Sequence, residues 1–188
     1  MSAPLLIMLA GPNGAGKSTF YESYLKPLGL PFLNADILAR EANMDAYTAA
    51  DTIAAIRDQR IADGLSFVTE TVFSDPFGEK VQVLREASAR GFDVILIYIG
   101  IKDANLCHRR VKARVSAGGH DVPVEKLAAR YARSLDNLER AISQLPCVRI
   151  YDNSAFREPH RFLGEYAHRK PVSKTDDPIP KWARRFFP

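Results

Sequence analysis

One stretch near the N-terminus, Gly11-Pro12-Asn13-Gly14-Ala15-Gly16-Lys17-Ser18-Thr19, constrains this chain more than any other. It satisfies G-x-x-x-x-G-K-[ST] in full. The apolar run Leu5–Ala10 precedes it and reads as a buried strand. Thr19 to Leu25 follows and can open a helix. Strand, glycine loop and helix are the context the motif requires. The glycines allow a tight turn with backbone N–H groups facing inward, a nest for phosphate oxygens at a helix N-terminus. In that arrangement Gly11, Asn13, Gly14, Ala15, Gly16, Lys17, Ser18 and Thr19 line the phosphates of a nucleotide. Lys17 reaches the β and γ phosphates, and Ser18 offers its hydroxyl to Mg²⁺. A plain glycine-rich turn is the alternative, and motif and context together argue against it.

The chain's 188 residues suffice for one full core. Hydrophobic residues make up 46% and charged residues 26%, ordinary for a soluble globular protein. A formal net charge of +4 is too mild for a nucleic-acid footprint and is in keeping with anionic small substrates. The N-terminal apolar stretch has no basic flank and is cut short by Gly11-Pro12-Asn13. It reads as neither a signal peptide nor a membrane span, so a cytoplasmic location is expected. Cys107 and Cys147, far apart in sequence, read as buried thiols.

The rest of the chain alternates strand and helix signals. Phe32-Leu33-Asn34 is a short second strand, and Asp36 sits where it gives way to a helix. In an open α/β sheet ligands gather at such strand ends, so Asp36 is a site candidate; the alternative is a helix cap. A helix is predicted from Tyr47 to Ala62. Leu65 to Thr69 forms a third strand closed by Glu70-Thr71. That carboxylate and hydroxyl can touch a sugar or orient a metal-bound water, or be plain edge polarity. Gly78 to Arg90 predicts a helix, and the long apolar run Phe92–Ile99 a central parallel strand. Ile101 to Val115 and a second helix from Val124 carry many basic residues around Gly118-Gly119. They read either as a phosphate-covering lid or as a solvated hairpin. Val148 to Tyr151 predicts a last strand, and Gly164 to Lys170 a last helix. The expected architecture is an α/β three-layer P-loop sandwich of about five mainly parallel strands. Residues 1–170 form the domain, with a helical lid at about 102–133. Residues 171–188 form a tail laid over the surface, with Trp182, Phe186 and Phe187 as anchors.

A phosphate loop serves both kinases and switch GTPases. Here no Asn-Lys-x-Asp stretch offers guanine recognition, an acidic residue lies beside the loop, and the lid is rich in arginine. Asp36 can take the proton as a substrate hydroxyl attacks the γ-phosphate. Lys17 and the lid arginines can neutralise the transferring group. The central strand lacks an aspartate for the metal, leaving Asp36 or Glu70 to stand in, directly or through water.

The chain resembles the zeta-toxin family of P-loop kinases from Ala10 to about Ser154. Besides the loop, the marks are Asn34-Ala35-Asp36, Thr69-Glu70-Thr71, Arg109 to Val115, Gly118-Gly119-His120-Asp121-Val122-Pro123, and Arg130-Tyr131-Ala132-Arg133-Ser134. Members of that family use ATP to phosphorylate a sugar hydroxyl of UDP-N-acetylglucosamine. The resemblance implies Asp36 as catalytic base, and Glu70 and Thr71 as a substrate-side pair. It also implies Arg114 and Arg130 as arginines closing over the phosphates, with Asn153 and its neighbours where a purine rests. A small helical antitoxin that blocks the nucleotide site is an expected partner, with neither nucleic acid nor membrane involved. The chain is shorter than the larger toxins and lacks much of their nucleotide-sugar surface. Another sugar or nucleoside is therefore an alternative acceptor, and a nucleotide-dependent binding protein with weak hydrolysis an alternative class.

Overall fold

The computed structural model describes residues 2–116 and 124–187, except for the side chains of residues 114–116 and 124–125. Its elements run β1 (Leu5–Ala10), α1 (Lys17–Phe20), β2 (Phe32–Leu33), α2 (Ala35–Glu41), α3 (Ala46–Ala62), β3 (Phe67–Thr71), α4 (Glu79–Ala89) and β4 (Asp93–Gly100). They continue with α5 (Ala104–Ser116), α6 (Val124–Gln144), β5 (Cys147–Asp152), β6 (Arg161–Ala167) and β7 (Lys170–Lys174), and end in a 3₁₀ helix at Lys181–Phe186. Seven strands form one sheet in the order β2-β3-β1-β4-β5-β6-β7. The first five are parallel, and β6 and β7 are antiparallel additions at one edge.

Alternation along the strands divides the core. Leu6, Met8, Leu96, Tyr98, Val148 and Ile150 face one layer with α4, α6 and the C-terminal helix. Ile7, Leu9, Ile97 and Ile99 face the other, with Phe20 and Leu25 beside α1 and Cys107 on α5. Because helices cover both faces, β1 and β4 are apolar nearly throughout rather than alternating. The α/β sandwich expected from sequence is therefore present. No helix among the described residues is long and apolar enough to cross a membrane.

Two expectations fail at the C-terminal edge. There are seven strands rather than about five, and the segment from Gly164 to Lys170 is not a helix but the end of β6 and its turn into β7. The turn residues His168 and Arg169 have φ of 48° and 71°. Two successive positive φ values suit the tight turn of a hairpin, which Asn-Gly usually signals. His-Arg gives no such signal, so the hairpin is hidden in the sequence.

The segment after residue 170 contributes to sheet and core. β7 pairs with β6, and Trp182, Phe186 and Phe187 are all buried. The Trp182 indole lies against Gly100 and donates its N–H to Asp152 Oδ1 at 2.8 Å. Tyr166 donates its hydroxyl to the Phe186 carbonyl. Replacing Trp182 by alanine removes a large buried ring and orphans part of Asp152. The expected destabilisation is about 3–5 kcal/mol, measured by chemical denaturation; a loss below about 1 kcal/mol would make this segment an accessory rather than core.

Candidate functional site

The site begins where β1 ends. Gly11, Gly14 and Gly16 have φ of 144°, 72° and 88°, conformations that let the chain wrap tightly before α1. Lys17 opens α1 with its side chain turned back under the loop. Its ammonium donates to the Gly11 carbonyl at 2.9 Å and the Pro12 carbonyl at 3.3 Å, and pairs with Glu70 Oε1 at 3.6 Å. Ser18 and Thr19 are exposed on the first turn. Ala15 is buried, and Asn13 lines the cleft described below.

The neighbouring strand ends supply the acidic groups. Asn34 caps α2, its Oδ1 accepting the Ile37 N–H at 3.0 Å, and its amide donates to Glu70 Oε2 at 3.0 Å. Both Glu70 oxygens are thus engaged, one by Lys17 and one by Asn34, on a side chain only 13% exposed. Asp36 lies in the first turn of α2, and the cap is Asn34 instead. Asp36 is exposed, with no hydrogen bond or ion pair among the described residues. Thr71 Oγ1 accepts the N–H of Phe73, which has φ of 61° and is buried, so this hydroxyl shapes the turn after β3.

These groups meet in one cleft of about 550 Å³ between α2, α3, the end of β3 and the start of α6. Asn13, Asp36, Glu70, Thr71 and Arg130 all line it. So do cations that reading the sequence did not single out: Arg57 on α3, Lys80 on α4 and Lys126 one turn before Arg130. Arg57 is buried and pairs with its neighbour Asp58 at 2.7 Å. Lys80, Lys126 and Arg130 have no ion-pair partner among the described residues, and the Asp75 carboxylate lines the cleft with them. Asn13 Oδ1 is buried without a donor, and a ligand hydroxyl or N–H would satisfy it.

The helices beyond β4 are tied to the loop and its flanks. Arg110 on α5 donates to the Gly14 carbonyl at 3.3 Å. Tyr131 and Arg133 on α6 donate to the carbonyls of Ile101 and Ser74 at 2.9 Å and 2.8 Å. Burial pushes the Cys107 thiol up to about 11, so at neutral pH it is an inert packing group. Cys147 is half-buried and free. Arg114 lies on α5 with its side chain outside the described residues, as are Gly118, Gly119, His120, Asp121, Val122 and Pro123.

Asn153 is not aimed at open space beside the loop. Its amide donates to the Ala15 carbonyl at 2.8 Å, so it contacts the outside of the phosphate loop. His160 approaches the same loop, a residue for which the sequence carries no local signal.

A divalent cation finds a partial ligand set here. Among the described residues no three His, Cys, Asp or Glu side chains cluster as a metal cage. Mg²⁺ commonly uses one or two protein ligands and completes its shell with phosphate oxygens and water. The exposed Ser18 hydroxyl at the start of α1 suits one such protein ligand.

Comparison with known proteins places this geometry in a family. The sequence profile of the AAA domain family, AAA_33, matches residues 6–140. An uncharacterized protein of Haemophilus influenzae is 30% identical over 130 residues, which is 66% of this chain and 91% of that protein. The fold recurs in the PezAT chromosomal toxin–antitoxin system of Streptococcus pneumoniae, with a TM-score of 0.61 and 13% identity. That match covers 97% of this chain and 76% of the other. It also recurs in the AvrRxo1-ORF1:-ORF2 complex with ATP, with a TM-score of 0.67 and 15% identity, over 98% of this chain and 63% of that one. At such identities the likeness is one of fold. Matched by its profile over most of its length, the chain belongs to the AAA domain family.

Proposed function

We propose that this protein is an ATP-dependent kinase that transfers the γ-phosphate to a hydroxyl of a small anionic metabolite, with UDP-N-acetylglucosamine the first acceptor to test. One observation carries the reading: a single cleft joins Asn13 of the phosphate loop to an uncommitted carboxylate, Asp36, and to three cations without ion-pair partners. An ATP-bound complex of the same fold supports the choice of nucleotide. The second acidic group, Glu70, has both oxygens engaged, which favours Asp36 as the base.

In this mechanism the acceptor oxygen forms a bond to the γ-phosphorus as the bond to the β–γ bridging oxygen breaks, and ADP leaves. The acceptor proton passes to Asp36. Lys17 exchanges its contacts with the loop carbonyls for phosphate oxygens, while Glu70 keeps the ammonium aimed at them. Arg130, with Arg114, neutralises charge that builds in the transition state. Bound Mg²⁺, held by Ser18 and phosphate oxygens, would offset the charge on the β and γ phosphates. Lys80, Lys126 and Arg57 hold the anionic part of the acceptor, and Thr71 and Asn13 bound its hydroxyl end. The kinase domain includes β7 and the C-terminal 3₁₀ helix, with α5 and the first turns of α6 as the lid that excludes water. A partner that covers the nucleotide site, as an antitoxin would, fits the same reading; the PezAT likeness supports it.

The test is a screen of hydroxylated metabolites with labelled ATP, followed by identification of the product. A phosphorylated acceptor is expected. Release of free phosphate alone would favour a binding protein with weak hydrolysis. With the acceptor known, Arg130→Ala is expected to lower kcat roughly 10²-fold with little change in the acceptor KM. A change in KM alone would make Arg130 an ordinary binding cation. Lys80→Ala is expected to do the opposite, raising the KM of an anionic acceptor about tenfold at nearly constant kcat.

A further inference from the structure

Three consecutive carbonyls of the phosphate loop are held from outside by three side chains. Arg110 donates to Gly14 O at 3.3 Å, Asn153 to Ala15 O at 2.8 Å, and the His160 ring meets Gly16 O through Nε2 at 3.1 Å. Asn153 is itself fixed, because its backbone N–H donates to Gly100 O at 2.8 Å and its Oδ1 accepts the His160 N–H at 3.3 Å. The His160 ring is buried and meets Phe20 of α1 edge-on, with centroids 5.2 Å apart. Burial holds the imidazole below its ordinary pKa, against the hydrogen bond to Gly16 and with help from Arg110. At neutral pH the ring therefore has one proton, and a carbonyl partner requires it on Nε2.

In a trans peptide the carbonyl of one residue and the N–H of the next point in opposite directions. Holding the Ala15 and Gly16 carbonyls outward aims the N–H groups of Gly16 and Lys17 inward, and neither has an acceptor among the described residues. A Cβ at Gly16 would overlap the Asn153 amide and come within 3.2 Å of His160 Nε2. The brace therefore occupies the space a side chain at position 16 would need.

We propose that Asn153 and His160 are positioning residues that brace the phosphate loop in its anion-binding conformation, His160 acting through an Nε2–H donor. The proposal rests on the nucleotide reading of the loop and goes beyond the family match, since both residues lie outside residues 6–140. The brace also reaches the C-terminal segment: Asp152, the residue before Asn153, accepts the Trp182 indole N–H.

The experiment compares His160→Leu, His160→Gln and Asn153→Ala with the wild-type chain. Affinity for ATP with Mg²⁺ and for tripolyphosphate is measured by calorimetry, and amide exchange across residues 11–18 by mass spectrometry. His160→Leu and Asn153→Ala are expected to weaken both ligands about tenfold, the scale of one hydrogen bond, and to speed loop exchange. His160→Gln, which keeps an amide donor, is expected to stay within about threefold of wild type. Wild-type affinity and exchange in both disruptive variants would overturn the brace. So would a His160→Gln chain as impaired as His160→Leu, because ring packing rather than the donor would then matter. If the wild-type chain binds neither ligand, the nucleotide reading fails, and loop exchange decides the brace by itself.

Discussion

Lys17→Ala should abolish phosphoryl transfer, with turnover down roughly 10³-fold or more, the scale of removing a cation from the transferring group. The ammonium already sits against the loop carbonyls of Gly11 and Pro12 and 3.6 Å from Glu70. It needs only a local exchange of partners to meet phosphate oxygens. Alanine also leaves Glu70, 13% exposed, without its counter-charge, so some stability is lost. Lys17→Met keeps most of the stem and separates the two effects. Both variants are expected to lose turnover, and Met should retain more of the thermal stability. Single-turnover assays with ATP, alongside thermal unfolding, make the comparison. Full transfer activity in a folded Lys17→Met chain would remove Lys17 from the phosphate role.

The second large effect is expected at Asp36. Asp36→Asn keeps the side-chain shape but removes the basicity. Because Asp36 makes no hydrogen bond or ion pair among the described residues, and Asn34 supplies the helix cap, the fold should not notice. ATP affinity should hold, while transfer to the acceptor falls roughly 10²–10⁴-fold, the usual worth of a positioned acid–base group. Glu70→Gln should behave differently. It loses the charge facing Lys17, so stability and acceptor binding should fall together with rate. Product formation by both variants, with ATP binding measured in parallel, decides between them. Undiminished transfer by Asp36→Asn, with a loss of turnover alone in Glu70→Gln, would hand the base role to Glu70.

The difference between these two carboxylates marks where a linear sequence stops being informative. Glu70 lies at the end of β3 and Asp36 in the first turn of the helix after β2, and that much follows from the ends of two short apolar runs. That Glu70 is committed to Lys17 and Asn34 while Asp36 is left open depends on β3 lying next to β1 in the sheet. The capping role follows the same logic. Asn34-Ala35-Asp36 offers two side chains able to cap a helix, and only the backbone path decides that Asn34 does so.

Local patterns were sufficient where the signal is short-range. The phosphate loop is written in consecutive residues because three positive-φ positions need glycine and the lysine must follow at once. β1 and β4 are legible because both faces are covered, which leaves unbroken apolar runs. Tertiary structure alone decided the C-terminal half of the sheet, the cations of the cleft and the brace. The hairpin of β6 and β7 turns on His168 and Arg169, which adopt positive φ without the glycine or asparagine that announces it. Trp182 and Phe186 sit in a charged, proline-rich stretch that composition reads as a tail, yet the uncovered face around Gly100 and Asp152 draws them into the core. Arg57, Lys80 and Lys126 come from three separate helices, and His160 is 144 residues from the carbonyl it contacts. Contacts of that separation exist only after the sheet order is set, so the sequence determines the loop and its chemistry while the assembled fold determines what surrounds and holds it.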